Sequence, residues 1–238
     1  MEGLPEIHPG DDLAQLIAAS VALAAGDVLV VAQKVVSKAE GSMRDLADVT
    51  AGEEAVRLAA YLDSASDPRL VQVILDESVR VVRSERVLIT ETHRGYVCAN
   101  GGVDHSNIPG HDVVTLLPDD PDASAEVLRA RLHELSGAEV GVIVSDTFGR
   151  PWRLGILNVA LGVAGLPALI DLRGRRDDAG KQLHATVLAF ADELAAAAGL
   201  VMGKTNRTPV AIVRGLAIEE APGRGRDVLR TAAEDLFR

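Results

Sequence analysis

An α+β fold of mixed sheets with flanking helices is what this sequence predicts, on three observations. Short uncharged runs such as Val28-Leu29-Val30-Val31-Ala32 and the stretch 140–144 read as strands buried on both faces, the kind that helices cover. Helical and strand patterns alternate irregularly instead of in a strict βαβ cycle, which disfavours a doubly wound parallel sheet. No internal repeat, low-complexity tract or linker interrupts the 238 residues.

After Pro9-Gly10, the residues Leu13, Leu16, Ile17, Val21 and Ala24 recur at helical spacing with Asp11 or Asp12 as N-cap, so a helix over 11–25 is expected, closed by Gly26-Asp27. The strand 28–32 then gives way abruptly to a polar strand-end cluster, Gln33-Lys34-Val35-Val36-Ser37-Lys38. Amphipathic helices follow over about 52–62 and 68–77, then β-rich pieces at 79–83, 86–91 and 95–98 between short polar turns. The glycine-rich segment Ala99-Asn100-Gly101-Gly102-Val103-Asp104-His105-Ser106-Asn107 runs from a strand end into a loop. A strand at 113–117 precedes a helix from Asp119-Asp120-Pro121-Asp122 to about Leu135, its acidic residues placed where the N-terminal dipole favours them. The strand 140–144 opens onto the polar loop Ser145-Asp146-Thr147-Phe148-Gly149-Arg150-Pro151-Trp152-Arg153. An alanine-rich helix is expected over 184–198, a late strand over 209–214 and a closing helix over 227–237.

Composition bounds the function. A chain of this length hides roughly 70–75% of its extended surface and needs no disulfide or metal to fold. The single Cys98 cannot pair internally, which fits a reducing cytoplasm, and it reads as a small buried apolar residue at a strand end. No apolar run approaches the roughly 20 residues that span a bilayer, and 1–10 holds no basic-then-apolar leader, so a soluble cytoplasmic protein with no membrane partner is expected. With 35 acidic against 24 basic residues, a net charge of -11 and 3% aromatic residues, nucleic-acid binding is disfavoured. Any small anion must therefore be held by local groups.

Three clusters offer such groups. Asp104 with Asn107, and Asp146 with Thr147, present hard oxygen donors suited to Mg²⁺ or Mn²⁺ bound together with phosphates; aspartates in polar glycine-containing loops are also ordinary turn caps, and spacing alone leaves both readings open. Lys34 and Lys38 leave a buried strand at the edge where α/β sheets bind ligands, or else form a solvated pair. Arg150 and Arg153 flank Trp152 near Asp146, where guanidinium forks could grip phosphate or carboxylate; the alternative is a core Trp152 with the arginines extended to solvent. Gly203-Lys204-Thr205 fails the phosphate-loop motif, because the required earlier glycine falls on Ala198 and a helix, not a strand, precedes it. The six histidines show no zinc-ligand spacing.

At these same loops the chain resembles the coenzyme F420-0:L-glutamate ligases, which add γ-linked glutamate to a deazaflavin precursor. The matching pieces are Gly3-Leu4-Pro5-Glu6-Ile7, Gly10-Asp11-Asp12-Leu13, the run Lys34 to Gly41, Gly102-Val103-Asp104-His105-Ser106-Asn107, the run Ser145 to Arg153, Ala191-Asp192-Glu193-Leu194-Ala195, Val201-Met202-Gly203-Lys204 and the run Pro209 to Gly215, in family order over nearly the whole chain. The resemblance implies an F420 gamma-glutamyl ligase-like fold in a single domain over 1–238, or two interleaved subdomains, that forms an intertwined homodimer. It implies GTP, L-glutamate and coenzyme F420-0 as substrates, Mg²⁺ or Mn²⁺ as metal, and room for K⁺. Carried over by position, Asp104, Asp146 and Thr147 correspond to the metal ligands. Leu4, Pro5, Glu6, Ile7, Gln33, Lys34, Lys38 and Asn107 correspond to GTP contacts, as does the late segment Met202, Gly203, Lys204, Thr205, Asn206, Arg207, Thr208 and Pro209. Lys38 and Arg150 are the expected catalytic sources of positive charge, Arg150 by its location alone. Trp152 is expected to contact the flat deazaflavin. Ile156-Leu157-Asn158 stands where the family usually reads Gln-Thr-Asp, which leaves open a paralogous ligase for another acid or a catalytically retired nucleotide-binding homologue.

Overall fold

A computed structural model of the chain describes residues 1, 3–62, 66–105, 112–218 and 222–235. The elements run α1 (Leu13–Ser20), β1 (Val28–Ala32), α2 (Gln33–Glu40), β2 (Met43–Asp45), α3 (Glu53–Ala59), α4 (Pro68–Asp76), β3 (Ser78–Arg83), β4 (Ile89–Thr92), β5 (Val97–Ala99), β6 (Val113–Thr115), α5 (Pro121–Ser136), β7 (Gly141–Arg150), β8 (Arg153–Ala164), β9 (Ile170–Asp171), β10 (Val187–Leu188), α6 (Phe190–Met202) and β11 (Val210–Val213). The central sheet has the order β11-β1-β7-β8, with β1 parallel to β7 and the two outer pairings antiparallel. Smaller sheets pair β2 with β6, β3 with β4 and β5, and β9 with β10. This is the mixed α+β architecture with flanking helices that the sequence predicts.

Period-two alternation explains why the central strands carry almost no charge. Leu29, Val31, Val142 and Val144 enter one core with Leu13 and Ile17 of α1 and Leu128 and Leu132 of α5. Val28, Val30 and Ile143 enter the opposite core with Leu194, Ala195 and Ala198 of α6. Each fully buried valine, leucine or isoleucine among them stabilises the fold by about 1.5–3 kcal/mol. Gly162 on β8 lets the start of α5 sit directly on the sheet, since a Cβ there would lie 1.9 Å from the Pro121 carbonyl oxygen. A third core gathers Leu46, Leu58, Val71, Ile74, Leu88 and Val114 around α3 and α4. Among the described residues, no helix is long and apolar enough to cross a membrane.

Four expectations are corrected. The cluster 33–38 is the helix α2, whose Val36, Ser37 and Lys38 are buried and which stops at Gly41 in the left-handed conformation; two adjacent valines in eight residues hide its period. The loop expected at 145–153 is the distal half of a hairpin, because β7 continues to Arg150 by pairing with β8 as far as Arg153. Its polar side chains serve a cavity and solvent, so the apolar strand signal ends while the backbone ladder does not. The helix expected from 184 begins at Phe190, the residues just before it pairing as β10 with β9. The closing helix shrinks to a short 3₁₀ turn, Gly225–Val228, and 236–238 lie outside the described residues.

Candidate active site

The parallel register of β1 and β7 fixes the site. Ala32 pairs with Ser145, so the chain entering α2 and the chain leaving the apolar half of β7 emerge side by side at the carboxyl edge of the sheet. Open α/β sheets bind ligands at this edge. On the other flank of β1, the Ala32 N–H donates to the Pro209 carbonyl at 2.8 Å, which brings the segment before β11 to the same edge. Asp104 arrives through a bridge to Thr115, with backbone bonds of 3.1 and 2.8 Å. Gln33 Nε2 and Ser37 Oγ donate to the Leu116 carbonyl at 2.8 and 2.7 Å, tying α2 to that same segment.

These elements enclose a cavity of about 490 Å³. Its walls come from the N-terminal stretch (Leu4, Pro5, Glu6, Ile7), from α2 (Gln33, Lys34, Lys38), from Asp104, and from Asp146 and Thr147 on β7. Met202, Gly203, Lys204, Thr205, Arg207, Thr208 and Pro209 complete it. Nearly all the expected site residues thus meet at one place. Asn206 is absent from the lining but packs on Gly203: a Cβ there would lie 2.6 Å from Asn206 Nδ2, and its φ of +59° admits glycine most readily. Arg150 is not brought to the cavity. It ends β7, donates Nη2 to the Leu154 carbonyl at 2.9 Å, and its buried Nε has no hydrogen-bond partner among the described residues. Trp152 is 85% exposed at the hairpin turn, which overturns the core reading of that ring. Asn107 lies outside the described residues.

The charges are interleaved. Lys34 Nζ lies 2.7 Å from Asp104 Oδ2 and Lys38 Nζ 2.5 Å from Glu6 Oε1, while Lys204 Nζ donates to Thr147 Oγ1. The Lys38 hydrogen bond holds the Glu6 carboxyl below its ordinary range. Burial pushes the Asp146 carboxyl up, and the charge of Asp104 adds to the rise against Lys204 and Lys34. Two aspartates that repel each other, with a hydroxyl between strands, form a hard-oxygen donor set. Among the described residues no three acidic, histidine or cysteine side chains gather as a self-sufficient metal cage. Asp104, Asp146 and Thr147 could hold a divalent ion only together with ligands from elsewhere, such as phosphates and water. Among the described residues no side chain caps the start of α2, so its first N–H groups are where an anion could be received, beside the Lys34 and Asp104 pair.

The sequence reading missed Ala32, Val35, Ser145 and Asn158 as parts of the wall. Ala32 and Ser145 are found only through strand register. Asn158 was visible as a departure from the family pattern; Ile156, by contrast, is 60% exposed on the hairpin and outside the cavity.

The profile of the F420-0:Gamma-glutamyl ligase family matches residues 3–215. The coenzyme F420:L-glutamate ligase of Methanopyrus kandleri is 48% identical over 98% of this chain and 94% of its own length. Those of Methanocaldococcus jannaschii and Haloarcula marismortui are 43% and 44% identical, over 99% and 100% of this chain and 94% of each relative. With similarity running over 94% of the length of relatives that carry one ligase name, and with the family motifs converging on one cavity, the chain belongs to the F420-0:gamma-glutamyl ligase family of enzymes.

Proposed function

We propose that this protein is a GTP-dependent amide ligase that adds L-glutamate to coenzyme F420-0 through an acyl phosphate. The observation that carries the reading is the single cavity in which Lys34, Lys38 and Lys204 stand beside Asp104, Asp146 and Thr147. A -11 protein that binds an anionic nucleotide needs such a local concentration of cations. A carboxylate is a poor electrophile with a poor leaving group. Transfer of the γ-phosphoryl group to a carboxylate oxygen of the acceptor corrects both and releases GDP. The glutamate amine then attacks the carbonyl carbon, the C–N bond forms, the C–O bond to phosphate breaks, phosphate departs with the bonding pair, and the amine gives up a proton.

The chain's own residues supply binding and electrostatics for these steps. Lys34, Lys38 and Lys204 hold phosphate oxygens, the start of α2 adds backbone donors, and the glycine at 203 lets the late loop fold over the nucleotide. Asp104, Asp146 and Thr147 would hold Mg²⁺ or Mn²⁺, which supplies charge neutralisation at the transferring phosphoryl group. Arg150 lies outside the cavity at the hairpin tip, where it donates to the Leu154 carbonyl, and takes no part in these steps. The homodimer is part of this reading: Leu154 is fully exposed and Ile156 and Trp152 largely so, an apolar hairpin that a second subunit would cover.

Purified protein incubated with Mg²⁺, GTP, L-glutamate and coenzyme F420-0 should release GDP and yield a product heavier by one glutamyl residue on mass spectrometry. Asp146→Asn should abolish GDP release. Product formed only with a different carboxylic acid would assign the chain to a paralogous activity, and GTP-dependent thermal stabilisation without any GDP release would identify a retired homologue.

A further inference from the structure

We propose that Asn158 is a positioning residue that turns the Thr147 hydroxyl into a lone-pair donor facing the cavity; this rests on the reading of Asp104, Asp146 and Thr147 as the ligands of a divalent cation. Thr147 and Asn158 face each other as cross-strand partners on β7 and β8. A hydroxyl has one proton and two lone pairs, and only a lone pair can serve a cation. Thr147 Oγ1 donates its proton to Asn158 Oδ1 at 3.3 Å and accepts from Lys204 Nζ. The proton is thereby turned away from the side on which a positive group approaches. A Thr147 whose proton pointed into the cavity would present the wrong end of the O–H dipole.

Asn158 can do this because its own amide is fixed. Nδ2 donates to Met202 Sδ at 3.8 Å, at the last residue of α6. Gly199 of the same helix lies against the amide, leaving so little room that a Cβ there would come within 3.2 Å of Asn158 Cγ. Turning the amide over would present a donor to the Thr147 hydroxyl and an acceptor to the sulfur, losing the bond that disposes of the hydroxyl proton. The same residue pins the end of α6, and so the start of the 203–208 loop, to the strand that carries Thr147. Lys204 can only donate and the Met202 sulfur can only accept, so the bonds through Lys204, Thr147, Asn158 and Met202 all run in one direction. An aspartate at 158 would take the same proton but would add a negative charge to the cavity.

Mn²⁺ binding followed by electron paramagnetic resonance, with a non-hydrolysable GTP analogue present and no turnover, tests this. Asn158→Leu, similar in size but unable to accept the proton, should weaken Mn²⁺ binding about tenfold. Asn158→Asp, which restores the acceptor, should stay within about threefold of the parent. Mn²⁺ affinity is compared at saturating analogue, so that any change in the 203–208 loop does not enter it, and thermal midpoints report whether each variant is folded. Should Asn158→Leu not fold, Asn158→Ser, too short to reach Thr147, is expected to show the same tenfold loss. Parent-like Mn²⁺ affinity in the leucine or serine variant, with a clear loss in Thr147→Val, would overturn the proposal while leaving the metal site standing. A tenfold loss in a folded Asn158→Asp would overturn it as well, by assigning the position to packing or charge. If Asp146→Asn and Thr147→Val themselves leave Mn²⁺ affinity unchanged, the metal-ligand reading is what fails.

Discussion

Arg214 grips Asp27 with two nitrogens, Nε to Oδ1 and Nη2 to Oδ2, each at 2.7 Å. The two residues flank the Val28 and Val213 pair that opens the β1 and β11 ladder, so one fork-to-fork contact clamps the end of the sheet opposite the cavity. Asp27 is 1% exposed and also accepts from the Ala24 N–H at 2.8 Å. A buried carboxylate survives only with such partners.

Arg214→Met should therefore destabilise the fold at pH 7, because the buried Asp27 carboxylate loses both charge-assisted bonds from the guanidinium. The Arg214 guanidinium holds the Asp27 carboxyl below its ordinary value of 3.8. A depressed carboxylate stabilises the fold fully above its unfolded-state pKa and loses that contribution as pH falls through the folded value. Urea titrations at pH 7 and at steps below pH 4 check this: the gap between parent and variant should shrink on acidification, and a gap independent of pH would refute the electrostatic account.

The fold was legible where burial and period agree. Leu29 and Val31 facing one core, Val28 and Val30 the other, leave no polar position, and such a run has few readings. It was illegible where tertiary pairing carries the backbone on after the apolar signal ends. Asp146 and Thr147 look like loop residues because they serve a cavity, yet the ladder to Val159 and Asn158 makes them strand. The site was named largely through family motifs, which located Lys34, Asp104 and Lys204 separately; the register of Ala32 with Ser145, invisible in one dimension, is what unites them. Arg150 marks the limit of arguing from sequence proximity, since four residues from Asp146 along a strand at 3.2–3.4 Å per residue is roughly 13 Å, enough to leave the cavity.

Cys98 on β5 is buried, and that burial, with the nearby negative charge of Asp146, pushes its thiol up to about 12. The thiolate is the reactive form, so at pH 8 the native protein should react with a disulfide reagent on the order of a thousandfold more slowly than a free cysteine. In urea the thiol should label at the free rate. Fast labelling of the folded protein would place Cys98 in an open environment that this packing excludes.

Trp152 sits at the tip of the hairpin with φ +65° and most of its ring in solvent, two residues from the fully exposed Leu154. A residue of this size in a left-handed turn conformation carries backbone strain of order 1–3 kcal/mol. A flat ring held out in this way suits a flat partner, and stacking on a heteroaromatic system contributes about 1–3 kcal/mol. Trp152→Leu should accordingly weaken binding of the deazaflavin acceptor about tenfold while GTP affinity changes less than threefold, because the residues proposed for GTP line the cavity, which does not include Trp152. Calorimetric titration of the two ligands separates the cases. Equal losses for both would mean that the substitution disturbs the hairpin as a whole, and an unchanged acceptor affinity would mean that the ring serves the apolar contact made by Leu154 and Ile156 instead.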